Sequence, residues 1–313
     1  MTKFAFVFPG QGSQSRGMMD GYADFPIVKD TFVEASDILK QDLWQLVESG
    51  SDAELNATVN TQPVMLTAGV AVYRAWQSRQ GATPSMMAGH SLGEYAALVA
   101  SGSLQFSDAL PLVRFRAECM QQAVPEGVGG IAAILGLDDE AVRSLCMDAA
   151  EGQVLEAVNY NSPGQVVIAG NRAAVERGMA LAKGRGAKRA IMLPMSVPSH
   201  CSLLKDAAEQ LHDRLVAVEI AAPKIPVLHN ADVAAYDDAD RIRDALVRQL
   251  YSPVRWVETV QAFGKMGAVY NVECAPGKVL AGLNKRIDAS QQALSIHDGA
   301  SLMETLTKLE ETA

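Results

Sequence analysis

The sequence predicts an α/β fold carrying a mostly parallel sheet, with a second, smaller unit inserted into it. Three observations predict this. Short, β-prone apolar runs alternate with stretches of helical spacing, the pattern of strands covered on both faces by helices. A compact group of elements in the order β, α, β, β, α, β occupies residues 129 to 194, the split-βαβ order of ferredoxin-like units. The chain also has 313 residues, more than the roughly 100 to 200 of one ordinary domain, which leaves room for an insertion.

Each element follows from the local pattern. Residues 3 to 8, Lys-Phe-Ala-Phe-Val-Phe, read as a central strand that the Gly/Ser-rich segment 10 to 17 ends. Spacing is helical from about 24 to 79, and Met86-Met87-Ala88 is a second buried strand running into Gly89. Residues 94 to 100 form a good helix ending at Gly102, and another follows Ser107. The inserted unit has strands at 130–136, 154–160, 165–169 and 188–193 and helices at 138–150 and 172–183, with Asn161-Ser162-Pro163-Gly164 turning its central hairpin. Breaks at Pro125-Glu126-Gly127 and from Pro194 to Pro198 divide the chain into a large unit, 1–127 with 198–313, and a small one, 128–197. Helices near 200–219, 239–250 and 277–286 then alternate with β-like 225–229, 268–273 and 292–296, so the α/β layer resumes. No internal repeat or low-complexity segment is present.

Composition narrows the function. Hydrophobic residues at 49% and charged residues at 20% exclude a disordered, collagen-like or coiled-coil chain. With 27 Lys+Arg against 36 Asp+Glu, the net charge is 27 − 36 = −9, which speaks against binding nucleic acid or an anionic membrane surface. Cys119, Cys146, Cys201 and Cys274 lie far apart without a Cys-x-x-Cys pair, neither a disulfide framework nor a zinc site. The apolar run from Phe4 to Pro9 is too short for a signal-peptide core, and no stretch approaches the ~18 residues of a membrane span. These features predict a cytoplasmic protein.

Gly89-His90-Ser91-Leu92-Gly93 matches Gly-x-Ser-x-Gly in the strand–turn–helix context of a nucleophile elbow. Flanking glycines permit the sharp turn, and the N–H groups opening the next helix can hold an oxyanion. Ser91 needs a base, and only five histidines exist. His90 adjoins the nucleophile, so the elbow turns it away. His200 sits three and four residues before Leu203 and Leu204 at the start of a helix, on its inward face, where the helix N-terminus keeps the ring neutral. It is either the base for Ser91 or a core histidine satisfied by backbone. His212, His229 and His297 are read as structural.

In the helix after Ser107, Ala109, Leu112, Val113, Ala117 and Met120 form an apolar stripe, and Arg116 falls inside it. Arg114 projects to the other side, where Glu118 can pair with it. An inward guanidinium cannot shed its charge, so Arg116 needs either a buried carboxylate or an anionic ligand. Gly10-Gln11-Gly12-Ser13-Gln14 lies where open α/β sheets bind ligands, but Ser15 replaces the third glycine of a dinucleotide fingerprint. A backbone N–H there is an oxyanion donor candidate instead. Lys183, Arg185, Lys188 and Arg189 put four cations into seven residues of an acidic chain, either a solvated turn or a docking patch for an acidic macromolecule.

Five separated motifs then occur in order: Phe8-Pro9-Gly10-Gln11-Gly12-Ser13-Gln14, Gly89-His90-Ser91-Leu92-Gly93-Glu94, Arg114-Phe115-Arg116, Asn159-Tyr160-Asn161-Ser162-Pro163-Gly164 and Val197-Pro198-Ser199-His200. With them the chain, from residue 3 to its C-terminus, resembles the malonyl-CoA:acyl carrier protein transacylases. The resemblance implies a hydrolase-like α/β domain with an inserted ferredoxin-like subdomain. It implies Ser91 as nucleophile, His200 as base, the backbone carbonyl of Gln249 in place of an Asp, Gln11 and Leu92 N–H groups as the oxyanion hole, and Arg116 as the malonyl carboxylate's partner. The related acyltransferase domains of multidomain synthases often carry a differently composed tetrad ending at the His200 position, so their extender-unit rules are not to be applied mechanically. The implied reaction is ping-pong, needs no metal or redox cofactor, and has malonyl-CoA and an acidic, phosphopantetheinylated acyl carrier protein as partners of a monomer. The basic segment 183–189 is then a docking candidate. The rival readings are a serine esterase or thioesterase, and a noncatalytic module that binds the carrier protein.

Overall fold

The computed structural model describes residues 2–125, 127–194 and 197–312. The chain opens with β1 (Phe4–Phe8), and all five of its residues are buried. Phe4, Phe6 and Phe8 face one core while Ala5 and Val7 face another, as the two-residue period of a strand demands. The helical region 24–79 is four helices rather than one: α1 (Pro26–Leu39), α2 (Leu43–Ser49), α3 (Asp52–Asn56) and α4 (Thr58–Ser78). Local chemistry makes the cuts. Lys40 closes α1 with a left-handed φ of 54°, Asp42 caps α2, and Ser51 with Glu54 forms a capping box at α3.

β2 (Met86–Gly89), α5 (Gly93–Ala100) and α6 (Phe106–Ala123) follow. The inserted unit comprises β3 (Gly129–Leu135), α7 (Asp139–Ala150), β4 (Leu155–Ser162), β5 (Gln165–Asn171), α8 (Arg172–Gly184) and β6 (Arg189–Met192). Its four strands form an antiparallel sheet in the order β4-β5-β3-β6, with Ala132 opposite both Ile168 and Met192. This is the ferredoxin-like arrangement read from the sequence. The hairpin turns at Pro163-Gly164, with Asn161 and Ser162 still in strand. Of the breaks that flank the unit, Glu126, Met195 and Ser196 lie outside the described residues.

The remainder supplies α9 (Lys205–Val216), β7 (Val227–Leu228), α10 (Ala239–Gln249), α11 (Trp256–Lys265), β8 (Tyr270–Cys274), α12 (Val279–Ile287), β9 (Gln292–Ile296) and α13 (Gly299–Glu311). Sheet order is β7-β2-β1-β8-β9, and every pairing in it is parallel. Helices cover both faces. The larger core gathers the β1 phenylalanines with α1, α4 and α6, and the smaller packs Ala5, Val7, Met86 and Ala88 against Trp256, Val260 and Phe263 of α11. The small sheet likewise buries one face under α7 and α8, while Ile131, Val158, Val167 and Ala169 on the other face meet Cys201 of the large unit.

Two further links join the units. The backbone of Tyr160 donates to Val254 O at 3.0 Å, and Val254 donates back to Val158 O at 2.8 Å. The Glu156 carboxylate on β4 accepts from the backbone N–H and the hydroxyl of Ser202. No helix of the described residues is long and apolar enough to cross a membrane.

The strand–helix corner between β2 and α5 is closed by two glycines. A Cβ on Gly89 would lie 1.8 Å from the Gly93 carbonyl carbon, and one on Gly93 would lie 2.0 Å from Phe8 O, backbone contacts that no rotamer relieves. Gly89→Ala is therefore predicted to lower the unfolding free energy by roughly 3–5 kcal/mol, read as a fall in denaturant midpoint at unchanged slope. A midpoint matching the parent's would show that the corner relaxes freely.

Candidate active site

The corner sharpens into an elbow at Ser91, a non-glycine residue held at φ 52°. Asn230 pins this strained turn from outside: its Oδ1 accepts from Ser91 N at 2.7 Å, and its Nδ2 donates to Gly89 O at 2.6 Å. Leu92 follows as the residue capping α5. Its backbone N–H, like that of Gln11, has no acceptor among the described residues. The Gly10-Gln11 loop after β1 runs directly over the elbow, so that a Cβ on Gly10 would meet His90 O at 2.5 Å. Side-chain bonds from Gln11 Nε2 to Thr58 Oγ1 (3.3 Å) and from Gln14 Nε2 to Asn56 Oδ1 (2.7 Å) tie that loop to the start of α4.

His200 comes to the serine from the opposite side. Its Nε2 lies 2.7 Å from Ser91 Oγ, and its Nδ1 lies 2.8 Å from the backbone oxygen of Gln249 at the end of α10. A carbonyl only accepts, so Nδ1 carries the proton and Nε2 presents its lone pair to the hydroxyl. The ring is only 2% exposed. Burial, and then the nearby Arg116 cation, push its pKa down to about 3, against the Gln249 bond that favours the charged form. The imidazole is thus neutral and able to take a proton. The route to this position differs from the helical one expected. The helix begins at Lys205, and His200 sits ahead of a 3-10 turn at Ser202–Leu204 with φ 66°. A left-handed turn, not a helix face, aims it inward.

Arg116 on α6 is 1% exposed and stands over the Tyr95 ring at 5.6 Å. It donates from Nη1 to Gln62 Oε1 at 2.8 Å and from Nη2 to Gln249 Oε1 at 3.0 Å and Ser91 Oγ at 3.3 Å. No carboxylate among the described residues pairs with it, and its Nε–H is buried without a partner. Burial lowers its pKa, outweighing the opposing influence of Tyr95 and Glu94 nearby. Of the two alternatives left by the sequence, the structural ion pair is absent from the described residues. Arg114 also departs from expectation: it reaches Gln41 Oε1 instead of pairing with Glu118.

Ser91, His200, Arg116, Gln11, Leu92 and Gln62 line one cleft of about 650 Å³ between the two sheets. Ile131, Asn159, Asn161 and Val167 of the small sheet form one wall, and Val279, Leu280 and Leu283 of α12 form another. His90 turns from the serine toward Asn161 Oδ1 (2.8 Å) and packs on Trp256. Lys183, Arg185, Lys188 and Arg189 are exposed at the end of α8 and the start of β6, and none lines the cleft. Arg185 is paired with Asp148, whereas Lys188 borders a separate shallow cavity. No group of three or more His, Cys, Asp or Glu side chains among the described residues could hold a metal ion.

Several contributors escaped the sequence reading. Gln62 is 1% exposed on a helix buried nearly all round, so its apolar surroundings hid it. Asn230 follows a two-residue strand with no pattern to mark it. The side chain of Gln249 was missed although its backbone was not: its Oε1 accepts from Arg116 and its Nε2 donates to Ser91 O and Glu94. Glu94 had a signal, being the one acid inside an otherwise apolar helix.

The chain is similar to known proteins over nearly its whole length. A model of the acyl transferase domain matches residues 5–302. A malonyl CoA-acyl carrier protein transacylase of Salmonella typhimurium is 53% identical over 309 residues, covering 98% of this chain and all of that one. One from Haemophilus influenzae is 56% identical over 303 residues, covering 96% and 97%. Among solved structures, an acyl-carrier-protein S-malonyltransferase from Burkholderia pseudomallei superposes with a TM-score of 0.96 at 58% identity, over 97% of this chain and 99% of that one. A malonyl-transacylase in complex with its type II PKS acyl-carrier protein superposes with a TM-score of 0.97 at 51% identity, over 98% and 100%. With its elbow serine, carbonyl-held histidine and sequestered arginine in one cleft, this chain belongs to the malonyl-CoA:acyl carrier protein transacylase family of acyltransferases.

Proposed function

We propose that this chain transfers a malonyl group from coenzyme A to the phosphopantetheine thiol of an acyl carrier protein, through an ester on Ser91. One observation carries this reading: a buried guanidinium without a carboxylate stands 3.3 Å from the hydroxyl to be acylated. A bidentate pair with the malonyl carboxylate would satisfy it and place the thioester carbonyl at Ser91. An esterase gives no reason for that cation.

The steps follow from the geometry. Ser91 Oγ attacks the thioester carbon while His200 Nε2 takes its proton. The oxyanion rests on the N–H groups of Gln11 and Leu92, which have no other acceptor among the described residues. As the C–S bond breaks, His200 returns the proton to the departing CoA sulfur and malonyl-Ser91 remains. The carrier's thiol then gives its proton to His200 and attacks the ester, and the proton goes back to Ser91 Oγ as that bond breaks. The thioester supplies the reactivity, so no redox or metal step enters. The malonyl carboxylate also serves the base: by neutralising Arg116 it lifts the cationic field that depresses His200.

The chain is read as a monomer. The division into 1–127 with 198–313 and 128–197 follows the two sheets, and four free, buried thiols suit a reducing, cytoplasmic setting. The exposed cations Lys183, Lys188 and Arg189 form the docking patch for the acidic carrier, with Arg185 contributing less because Asp148 already pairs with it.

Exposure to malonyl-CoA, read by intact-protein mass spectrometry, is predicted to leave one malonyl adduct on Ser91. In Arg116→Ala the kcat/KM for malonyl transfer falls by roughly 10²–10³-fold, the cost of stranding a buried charge, and acetyl transfer gains relative to it. No adduct, sustained CoA release without one, or an unchanged malonyl/acetyl ratio would each sink the assignment.

A neutral serine reagent such as phenylmethylsulfonyl fluoride reports His200 without engaging the carboxylate site. Its inactivation rate falls as pH drops through the His200 pKa, near 3 in the parent. Removing the Arg116 cation raises that pKa, so the acid limb of Arg116→Ala is predicted to move to higher pH. A limb that stays put, or moves down, contradicts the coupling.

For docking, Lys188→Glu with Arg189→Glu is expected to raise the carrier-protein KM roughly tenfold at low salt, with the difference shrinking above ~0.1 M as charges are screened. If KM and its salt dependence match the parent's, these residues are ordinary surface.

A further inference from the structure

Glu94, on the first turn of α5, is fully buried, and three donors among the described residues bond its carboxylate. Oε1 accepts from His229 Nδ1 at 2.7 Å, and Oε2 accepts from Asn230 N at 2.9 Å and from Gln249 Nε2 at 2.9 Å. The helix N-terminus adds its own preference for negative charge. The Gln249 amide nitrogen is doubly committed, to Glu94 and to Ser91 O at 3.0 Å, so its oxygen must face the other way, where it accepts from Arg116 at 3.0 Å. A flipped amide would set N–H against guanidinium N–H and oxygen against two acceptors. Cation, amide and anion therefore stand in line.

We propose that Glu94 is a positioning residue for malonyl recognition: its carboxylate is the counter-charge of Arg116 at one remove, and through the Gln249 amide it holds the guanidinium where the substrate carboxylate docks. The proposal rests on the reading that Arg116 takes that carboxylate. A direct ion pair would satisfy the arginine permanently and occupy the donors that the substrate needs. A site with no anion at all would leave the empty cleft with a bare buried cation. One interposed amide avoids both, since it passes on the polarisation of a neighbouring charge while accepting only a single N–H.

A double-mutant cycle tests this. The malonyl/acetyl ratio of kcat/KM is measured in the parent, Glu94→Gln, Arg116→Ala and the double variant. Glu94→Gln keeps the shape and removes the charge. The ratio is expected to fall about tenfold in Glu94→Gln, and to change less than about twofold when the same substitution is added to Arg116→Ala. An unchanged ratio in Glu94→Gln while Arg116→Ala loses it overturns this assignment alone, as does an equal fall in both backgrounds, which would mark a merely structural acid. An unchanged ratio in Arg116→Ala overturns the assignment together with the reading beneath it. Should Glu94→Gln lack the parental circular dichroism, Glu94→Asp, which keeps the charge on a shorter stem, enters the same cycle with an expected fall of about threefold and the same overturning results.

Discussion

A guanidinium withdrawn from water and denied a carboxylate has to be held by neutral acceptors, and Arg116 is held by two amides, Gln62 from α4 and Gln249 from α10. The rest of the site is arranged around that cation. It lies within hydrogen-bonding reach of Ser91 Oγ and helps keep His200 neutral, so serine, imidazole and guanidinium form one coupled electrical system. Gln249 joins its parts: the backbone oxygen fixes the His200 tautomer, and the side-chain oxygen receives Arg116. In this role a carbonyl differs from an acid, because it orients the imidazole without adding a negative charge that would compete for the arginine.

The architecture explains why groups so distant in sequence can be held this closely. The parallel strands β1 and β2 end side by side, with Phe8 opposite Gly89, and so deliver the Gly10-Gln11 loop and the elbow to the same carboxyl edge. Helix α6 then brings Arg116 beneath the elbow. The antiparallel unit inserted between α6 and α9 supplies the opposite wall before the chain returns with His200. The strain of two non-glycine residues at positive φ, Ser91 and His200, is borne by the hydrogen bonds that Asn230, Gln249 and Leu250 make to their backbones and to the imidazole.

Much of this was legible because burial writes period into sequence. The phenylalanines of β1, the apolar stripe of α6 with an arginine in it, and the six elements of the inserted unit all repeat at strand or helix spacing. α11 was missed although Trp256, Thr259, Val260 and Phe263 carry that spacing, and α13 was missed although Leu302, Leu306 and Leu309 do. The first lies between a helix and a strand, α10 and β8, whose own signals dominated. The polar network was illegible for a different reason: Gln62, Asn230 and Gln249 act singly, through contacts between residues more than fifty positions apart, and no local pattern encodes such a meeting. Even the inward aim of His200 was inferred through a helix that does not yet exist at that residue.

The stitches between the two sheets carry a mechanical consequence. The small unit is joined to Val254 by paired backbone hydrogen bonds and to Ser202, two residues beyond His200, by the Glu156 carboxylate. Swinging the small sheet outward would break the first and drag the imidazole with the second. Opening the cleft would therefore carry the cost of those contacts, and a ligand that reaches the serine through the standing gap, as a slender, flexible tether can while the bulk that carries it stays outside, avoids it.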